Sequence, residues 1–195
     1  MKPQLVVLAG PNGAGKSTFY DVFLSESELL WLNADLFAAE TGIDSFDAAR
    51  ILDETRARMI EDGIGFITET VFSDPHGAKL TMLESAVEAG YDVTLIYIGV
   101  RSTDLLARRV DQRIARGGHD VPRDRIASRF ERSLRNLKAA LSLVTTVKLY
   151  DNSDADEPYR HVATFDHGSL TFRSKGPLPA WTRSIVPAAR RKRKR

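Results

Sequence analysis

Gly10-Pro11-Asn12-Gly13-Ala14-Gly15-Lys16-Ser17 directly follows the apolar run Leu5-Val6-Val7-Leu8-Ala9 and precedes a segment, 18–24, that reads as a helix. The octapeptide fits G-x-x-x-x-G-K-[ST]. Its strand–loop–helix setting is the one in which this pattern forms a phosphate-binding P-loop. Glycines let the backbone wrap a phosphate chain, because they accept positive φ and carry no Cβ to collide with it. The loop N–H groups and the helix N-terminus supply partial positive charge. Lys16 would bridge the β- and γ-phosphates, and Ser17 would hold Mg²⁺. Gly10, Pro11, Asn12, Gly13, Ala14, Gly15, Lys16, Ser17 and Thr18 are therefore the candidate nucleotide-binding residues.

Beyond this unit the chain alternates apolar runs with helical patterns. Leu29-Leu30-Trp31-Leu32-Asn33 reads as a buried strand, followed by a short helix over 36–40. A helix over 46–61 ends at Gly63 and Gly65, and a third strand covers 65–70. Asp74-Pro75 has the form of a helix start, with Asp as cap and Pro at the first helical position. That helix runs to Ala89. A Val-, Ile- and Tyr-rich strand over 91–100 follows. Helices from Ser102 or Thr103 to Arg116 and from Pro122 to about Leu143 lead to a fifth strand over 145–150. A hairpin turning at Asp166-His167-Gly168-Ser169 comes next, and Trp181 to Val186 packs back on the body. The expected fold class is α/β: a P-loop NTPase-type three-layer sandwich with a parallel five-stranded sheet, an Arg-rich helical lid and a small C-terminal hairpin extension. In such a sheet the C-terminal ends of the strands share one edge, where ligands bind.

The 195 residues suit one domain over 1–186 and a basic, disordered tail over 187–195. There is no cysteine, which excludes disulfides, thiolate metal sites and cysteine nucleophiles. The four histidines have no zinc-ligand spacing. The apolar run at the N-terminus is only a strand long and no run approaches a membrane span, so a cytoplasmic protein is expected. Net charge is +2, but six of the 28 basic residues are Arg190 to Arg195; the other 22 face 26 acidic residues. A mildly acidic body carries a basic tail, which limits polyanion contact to the tail.

At the expected ligand edge, Asp35 follows strand two and Glu69 follows strand three. Asp35 can accept the proton of a substrate hydroxyl, or it can cap the helix at 36–40. Glu69 can reach Mg²⁺ through water, hold a substrate hydroxyl, or simply end a strand in solvent, with Thr68 and Thr70 adding hydrogen bonds. Residues 101–135 hold ten arginines, of which Arg109, Arg113 and Arg116 share a helical face. The segment reads as a lid over the triphosphate, with Gly117-Gly118 as its turn. Most of the ten would be solvated; Arg113, Arg116 and Arg129 are the first candidates for phosphate contact. His119, beside the glycine turn, is a candidate contact to substrate.

Gly10–Ser17, Asn33-Ala34-Asp35, Thr68-Glu69-Thr70-Val71-Phe72, Gly117-Gly118-His119-Asp120-Val121-Pro122 and the segment from Arg129 to Leu137 together resemble the zeta-toxin family of P-loop kinases, over roughly residues 4–150. The resemblance implies a kinase dependent on ATP and Mg²⁺. The best-known members phosphorylate the 3′-hydroxyl of the sugar in UDP-N-acetylglucosamine, and many are held inactive by an antitoxin protein. By motif position Lys16 and Ser17 match the nucleotide and Mg²⁺ residues, Asp35 the catalytic base and Thr70 a substrate contact. Asn33, Glu69 and His119 complete the expected acceptor site. The third-strand motif reads Thr-Glu-Thr where the plasmid toxins have Glu-Gly-Thr. Two other readings remain. An RNA-end kinase draws on the basic tail, and a nucleotide-dependent switch or partner-binding module draws on the P-loop alone.

Overall fold

The computed structural model describes residues 2–115 and 123–187. Arg116, the glycine turn with His119, and the tail over 188–195 lie outside the described residues. In chain order the elements are β1 (Gln4–Ala9), α1 (Lys16–Phe23), β2 (Leu30–Leu32), α2 (Ala34–Thr41), α3 (Ser45–Asp62), β3 (Phe66–Thr70), α4 (Ala78–Glu88), β4 (Asp92–Gly99), α5 (Thr103–Ile114), α6 (Arg123–Ala140), β5 (Thr146–Asp151), β6 (Arg160–Asp166) and β7 (Ser169–Arg173). A single 3-10 turn, Ala180–Thr182, follows. Among the described residues no helix is long and apolar enough to cross a membrane.

One sheet carries all seven strands, in the order β2-β3-β1-β4-β5-β6-β7. The first five are parallel and the last two antiparallel. The central strands are buried on both faces: Leu5, Val7 and Leu8 of β1 and Val93, Leu95, Ile96, Tyr97 and Ile98 of β4 are all in the core. Successive side chains point to opposite faces, so both sides of the sheet are covered, as a parallel α/β sheet requires. The α/β P-loop fold is as expected, but the sheet has seven strands instead of five. The hairpin expected as an appendage pairs with β5 and extends the sheet. Without it, β5 would expose a row of unpaired N–H and C=O groups.

A second departure positions the site. The Asp74-Pro75 signal does not start α4, which begins at Ala78 behind Gly77. Residues 71–77 instead form a loop captured by α6. Arg132 Nε donates to the Ser73 carbonyl at 2.9 Å, and Asn136 Nδ2 donates to the carbonyls of Phe72 (3.1 Å) and Asp74 (3.2 Å). Phe72 sits at φ 57 with its ring fully buried. A left-handed aromatic residue is held only where its surroundings over-determine it. Here ring burial and two donors on α6 override the local helix signal.

The C-terminal segment closes the fold, as its sequence suggests. Trp181, Ile185 and Val186 are buried. Trp181 Nε1 donates to Asp151 Oδ1 at 2.8 Å, and its ring lies so close over Gly99 that any Cβ there would collide with it. Asp151 is itself buried and also accepts from Ser153 Oγ. Trp181→Phe keeps most of the packing but leaves a buried carboxylate short of a donor. It should lower unfolding free energy by about 1–3 kcal/mol in urea titrations, with the native circular dichroism spectrum retained.

Candidate functional site

The P-loop runs from the end of β1 to the first turn of α1. A Cβ at Gly10 would run into the carbonyl of Ile98 on β4, and Gly15 takes φ 94 as the N-cap of α1. The loop is braced from a distant part of the chain. Asn152 Nδ2 donates to the Ala14 carbonyl at 2.8 Å, and the Tyr159 hydroxyl donates to the Gly15 carbonyl at 2.9 Å. Both groups crowd Gly15 so closely that a Cβ there would lie 2.6 Å from Asn152 Nδ2 and 2.8 Å from the Tyr159 oxygen. Burial, the largest cause, holds the Tyr159 phenol above its usual pKa. Sequence reasoning passed over both residues; their only signal was a polar cluster just after a strand end.

Glu69, at the end of β3, joins three elements. Its Oε1 lies 3.4 Å from Lys16 Nζ, and its Oε2 accepts from Ser17 Oγ (2.9 Å) and from Asn33 Nδ2 (3.0 Å). Lys16 is 6% exposed and also donates to the Pro11 carbonyl at 3.3 Å. Asn33 Oδ1 accepts from Leu36 N and so caps α2. The capping role weighed for Asp35 thus belongs to Asn33. Asp35 lies in the first turn of α2 with its side chain exposed.

Two adjoining cavities meet at these residues. The first, of about 300 Å³, is lined by Asn12, Gly13, residues 15–18, Asp35, Glu69, Val71 and Arg109. The second, of about 240 Å³, is lined by Asn33, Asp35, Asp53, Arg56, Glu69, Thr70, Val71 and Lys79, among others. Asp35, Glu69 and Val71 form the wall common to both. A third, shallower cavity of about 400 Å³ continues past Thr70 and Lys79 to Arg129 and Arg132.

The first cavity has the chemistry of a triphosphate site: glycine-rich backbone, the Lys16 ammonium, the start of α1 and one arginine. The buried Asn12 Oδ1 there has no hydrogen-bond partner. The adjacent oxygens of Ser17 and Glu69 are hard ligands of the kind Mg²⁺ takes alongside nucleotide phosphates. Among the described residues no group of three His, Cys, Asp or Glu side chains could hold a metal. A donor set of one hydroxyl and one carboxylate therefore relies on phosphate and water for the remaining ligands.

The arginines sort differently from the sequence expectation. Arg109 lines the phosphate cavity, with its guanidinium 3.5 Å from the Gly13 carbonyl. Arg113 lies four residues further along α5, and its side chain is not among those described. Arg129 lines the third cavity, beside the loop after β3. Arg108, Arg125 and Arg135 are exposed.

A polar network behind the second cavity was not read from the sequence. Arg56, 5% exposed, donates from Nε to Thr68 Oγ1 (2.7 Å) and from a terminal nitrogen to Asp53 Oδ1 (2.6 Å). The Thr68 hydroxyl in turn donates to the Leu32 carbonyl at 3.0 Å, and Lys79 Nζ reaches the same Asp53 oxygen at 2.6 Å. Burial lowers the Arg56 pKa, and the Asp53 carboxylate opposes that shift. The available clue was position: Arg56 interrupts the apolar stripe of Leu52, Met59 and Ile60 on α3. Thr68 is turned into this network, whereas Thr70 lines the second cavity and accepts from Phe72 N at 3.0 Å.

A parallel sheet with a phosphate loop at its ligand edge and an adjoining acceptor-sized cavity defines a P-loop α/β protein. The profile of the zeta toxin family matches residues 43–162, well over half of the chain, and the protein belongs to this family of P-loop kinases. The match leaves out the P-loop and Asp35 on one side and, on the other, everything after Val162, early in β6. An uncharacterized protein of Haemophilus influenzae is 26% identical over 135 residues, spanning 67% of this chain and 94% of its own. Among solved structures, AvrRxo1-ORF1 in complex with AvrRxo1-ORF2 is similar at TM-score 0.65 and 17% identity, over 87% of this chain. The match spans only 60% of the matched chain of that complex. The PezAT chromosomal toxin–antitoxin system of Streptococcus pneumoniae is similar at TM-score 0.56 and 17% identity, over 92% of this chain and 75% of that one. At these identities the structural likeness is one of fold.

Gly15→Ala tests the braced loop. The added methyl meets Asn152 and Tyr159 in a left-handed conformation, so ATP affinity measured by calorimetry should fall by roughly tenfold or more, equivalent to about 1.4 kcal/mol. Gly42, also at positive φ but with open space around its Cβ position, is the control: Gly42→Ala should leave ATP binding intact.

Proposed function

We propose that the protein is an ATP-dependent kinase that transfers the γ-phosphate to a hydroxyl of a small metabolite, a nucleotide sugar such as UDP-N-acetylglucosamine. The observation that carries this reading is the shared wall of the two cavities: the Asp35 carboxylate borders both the phosphate loop and the space beside it. Lys16 and the loop N–H groups hold the phosphates, and Arg109 adds charge beside them. Asp35 accepts the proton of the acceptor hydroxyl as it attacks the γ-phosphorus in line. Ser17 and Glu69 would hold Mg²⁺, which neutralises charge on the phosphate oxygens when bound. Arg113, Arg116 and His119 belong to the segment that would close over the site and exclude water. The second and third cavities lead from Asp35 to Lys79, Arg129 and Arg132, cations suited to an acceptor with phosphates of its own.

An antitoxin partner is part of the same proposal. It draws on family membership and on the likeness to PezAT, a chromosomal toxin–antitoxin system.

The test is transfer from γ-labelled ATP with Mg²⁺ to a panel of UDP-sugars, other sugar nucleotides and short RNA. Label should appear on a UDP-sugar. Asp35→Asn should lower kcat by roughly 10²–10⁴-fold with ATP affinity unchanged, whereas Lys16→Ala should lose both. An Asp35→Asn protein that transfers at the wild-type rate would remove Asp35 as the base. Label passing only to water would remove the kinase reading.

A further inference from the structure

A cavity larger than the phosphate site lies elsewhere among the described residues. A groove of about 1120 Å³ opens at the far end of the sheet, between the 151–158 loop and the irregular segment that leaves β7 toward Trp181. None of its lining residues lines the phosphate or acceptor cavities. Its outer wall, residues 172–179, lies beyond the stretch matched by the zeta toxin profile.

Two features give this groove a specific chemistry. The first is aromatic. His161 stacks on Tyr150 at 5.0 Å, and Phe172 stacks on His161 at 4.4 Å with the planes 10° apart. The inner face of Phe172 is thus covered by His161, while the residue as a whole is 44% exposed, so its outer face is free to receive another ring. The second feature is cationic. Arg101, Arg160, Arg173 and Lys175 line the groove. Arg160 is committed to the Pro177 carbonyl and to Glu157. Arg173 Nε and Ser174 Oγ, by contrast, are buried donors without any hydrogen-bond partner. Such donors are costly unless an acceptor is supplied, and a phosphate is an acceptor with several oxygens. Of the acidic neighbours, Asp151 is already engaged by Trp181 and Ser153, and Asp154 by the Asp156 N–H.

We infer that this groove binds a nucleotide unit, its base stacked on the outer face of Phe172 and its phosphate held by Arg173, Ser174 and Lys175. A flat ring beside donors for one phosphate is the pattern by which single nucleotides and nucleic-acid strands are both held. The site is distinct from the P-loop, yet it shares the 151–159 connection whose Asn152 and Tyr159 brace that loop.

The test uses the full chain carrying Lys16→Ala, with Mg²⁺, so that the P-loop is disabled and no second nucleotide competes for the groove. AMP is titrated by calorimetry and a labelled hexa-adenylate by fluorescence anisotropy. AMP should bind, and Phe172→Ala should weaken it roughly ten- to hundredfold, the range that loss of one base–aromatic stack produces. Arg173→Ala should weaken it as well, and Phe172→Tyr should hold it. Phe172→Ala gives up the stack on His161, so its thermal melting should fall by no more than a few degrees, and Phe172→Tyr should melt as the wild type does. Hexa-adenylate binding at least about tenfold tighter than AMP assigns the groove to a single strand; equal affinities assign it to a free nucleotide. Failure of both probes to bind overturns the inference. So does binding that Phe172→Ala leaves untouched, which would place the contact on the Arg190–Arg195 run instead.

Discussion

The carboxylate of Glu69 is where the structure converges. Three groups from two parts of the chain are tied to it, Lys16 and Ser17 from the P-loop and Asn33 from the end of β2, and with Asp35 it walls the phosphate cavity. It reaches them because β3 lies between β2 and β1 and ends level with both, Leu32 opposite Thr68 and Leu8 opposite Glu69. Alternation along the strand sends Glu69 to the site and its neighbour Thr68 into the Arg56 network. A slip of one residue would exchange the two, setting a carboxylate against a buried hydroxyl network and a hydroxyl against Lys16. The buried core of β1 and β3 makes that slip unavailable, because it would also turn Phe66 and Ile67 to the wrong faces.

The other side of the phosphate loop is fixed by groups that arrive late in the chain. Asn152 and Tyr159 hold the carbonyls of Ala14 and Gly15. Their own position follows from β5, β6 and the Asp151–Trp181 contact. The hairpin and the C-terminal turn are therefore structural parts of the nucleotide site, although neither touches the phosphate cavity. The same connection forms one wall of the large distal groove.

Much of this was legible in the residues. The P-loop, the alternation of strands and helices, and polar residues at strand ends are encoded locally, over spans of about ten residues. Asp35 and Glu69 could be placed at the ligand edge because parallel strands all end there. What local patterns misjudged was competition with distant partners. Asp74-Pro75 is a sound helix start, yet Arg132 and Asn136 claim the carbonyls of that segment. Asp35 is a sound cap, yet Asn33 takes the role while also reaching Glu69. Arg109 lines the phosphate cavity, a placement set by how α5 crosses the loop and not by its spacing along the helix.

From the sequence alone came the phosphate loop, the parallel sheet and the family, because each rests on residue types at short, fixed spacings. The tertiary structure alone decided which side chains stand together: Arg56 with Asp53 and Lys79, Tyr159 with Gly15, and Phe172 with His161. Some of these partners lie more than a hundred residues apart, as Tyr159 and Gly15 do at a separation of 144. Their meeting depends on strand order and register, which are properties of the assembled sheet and leave no mark on the spacing of any one segment.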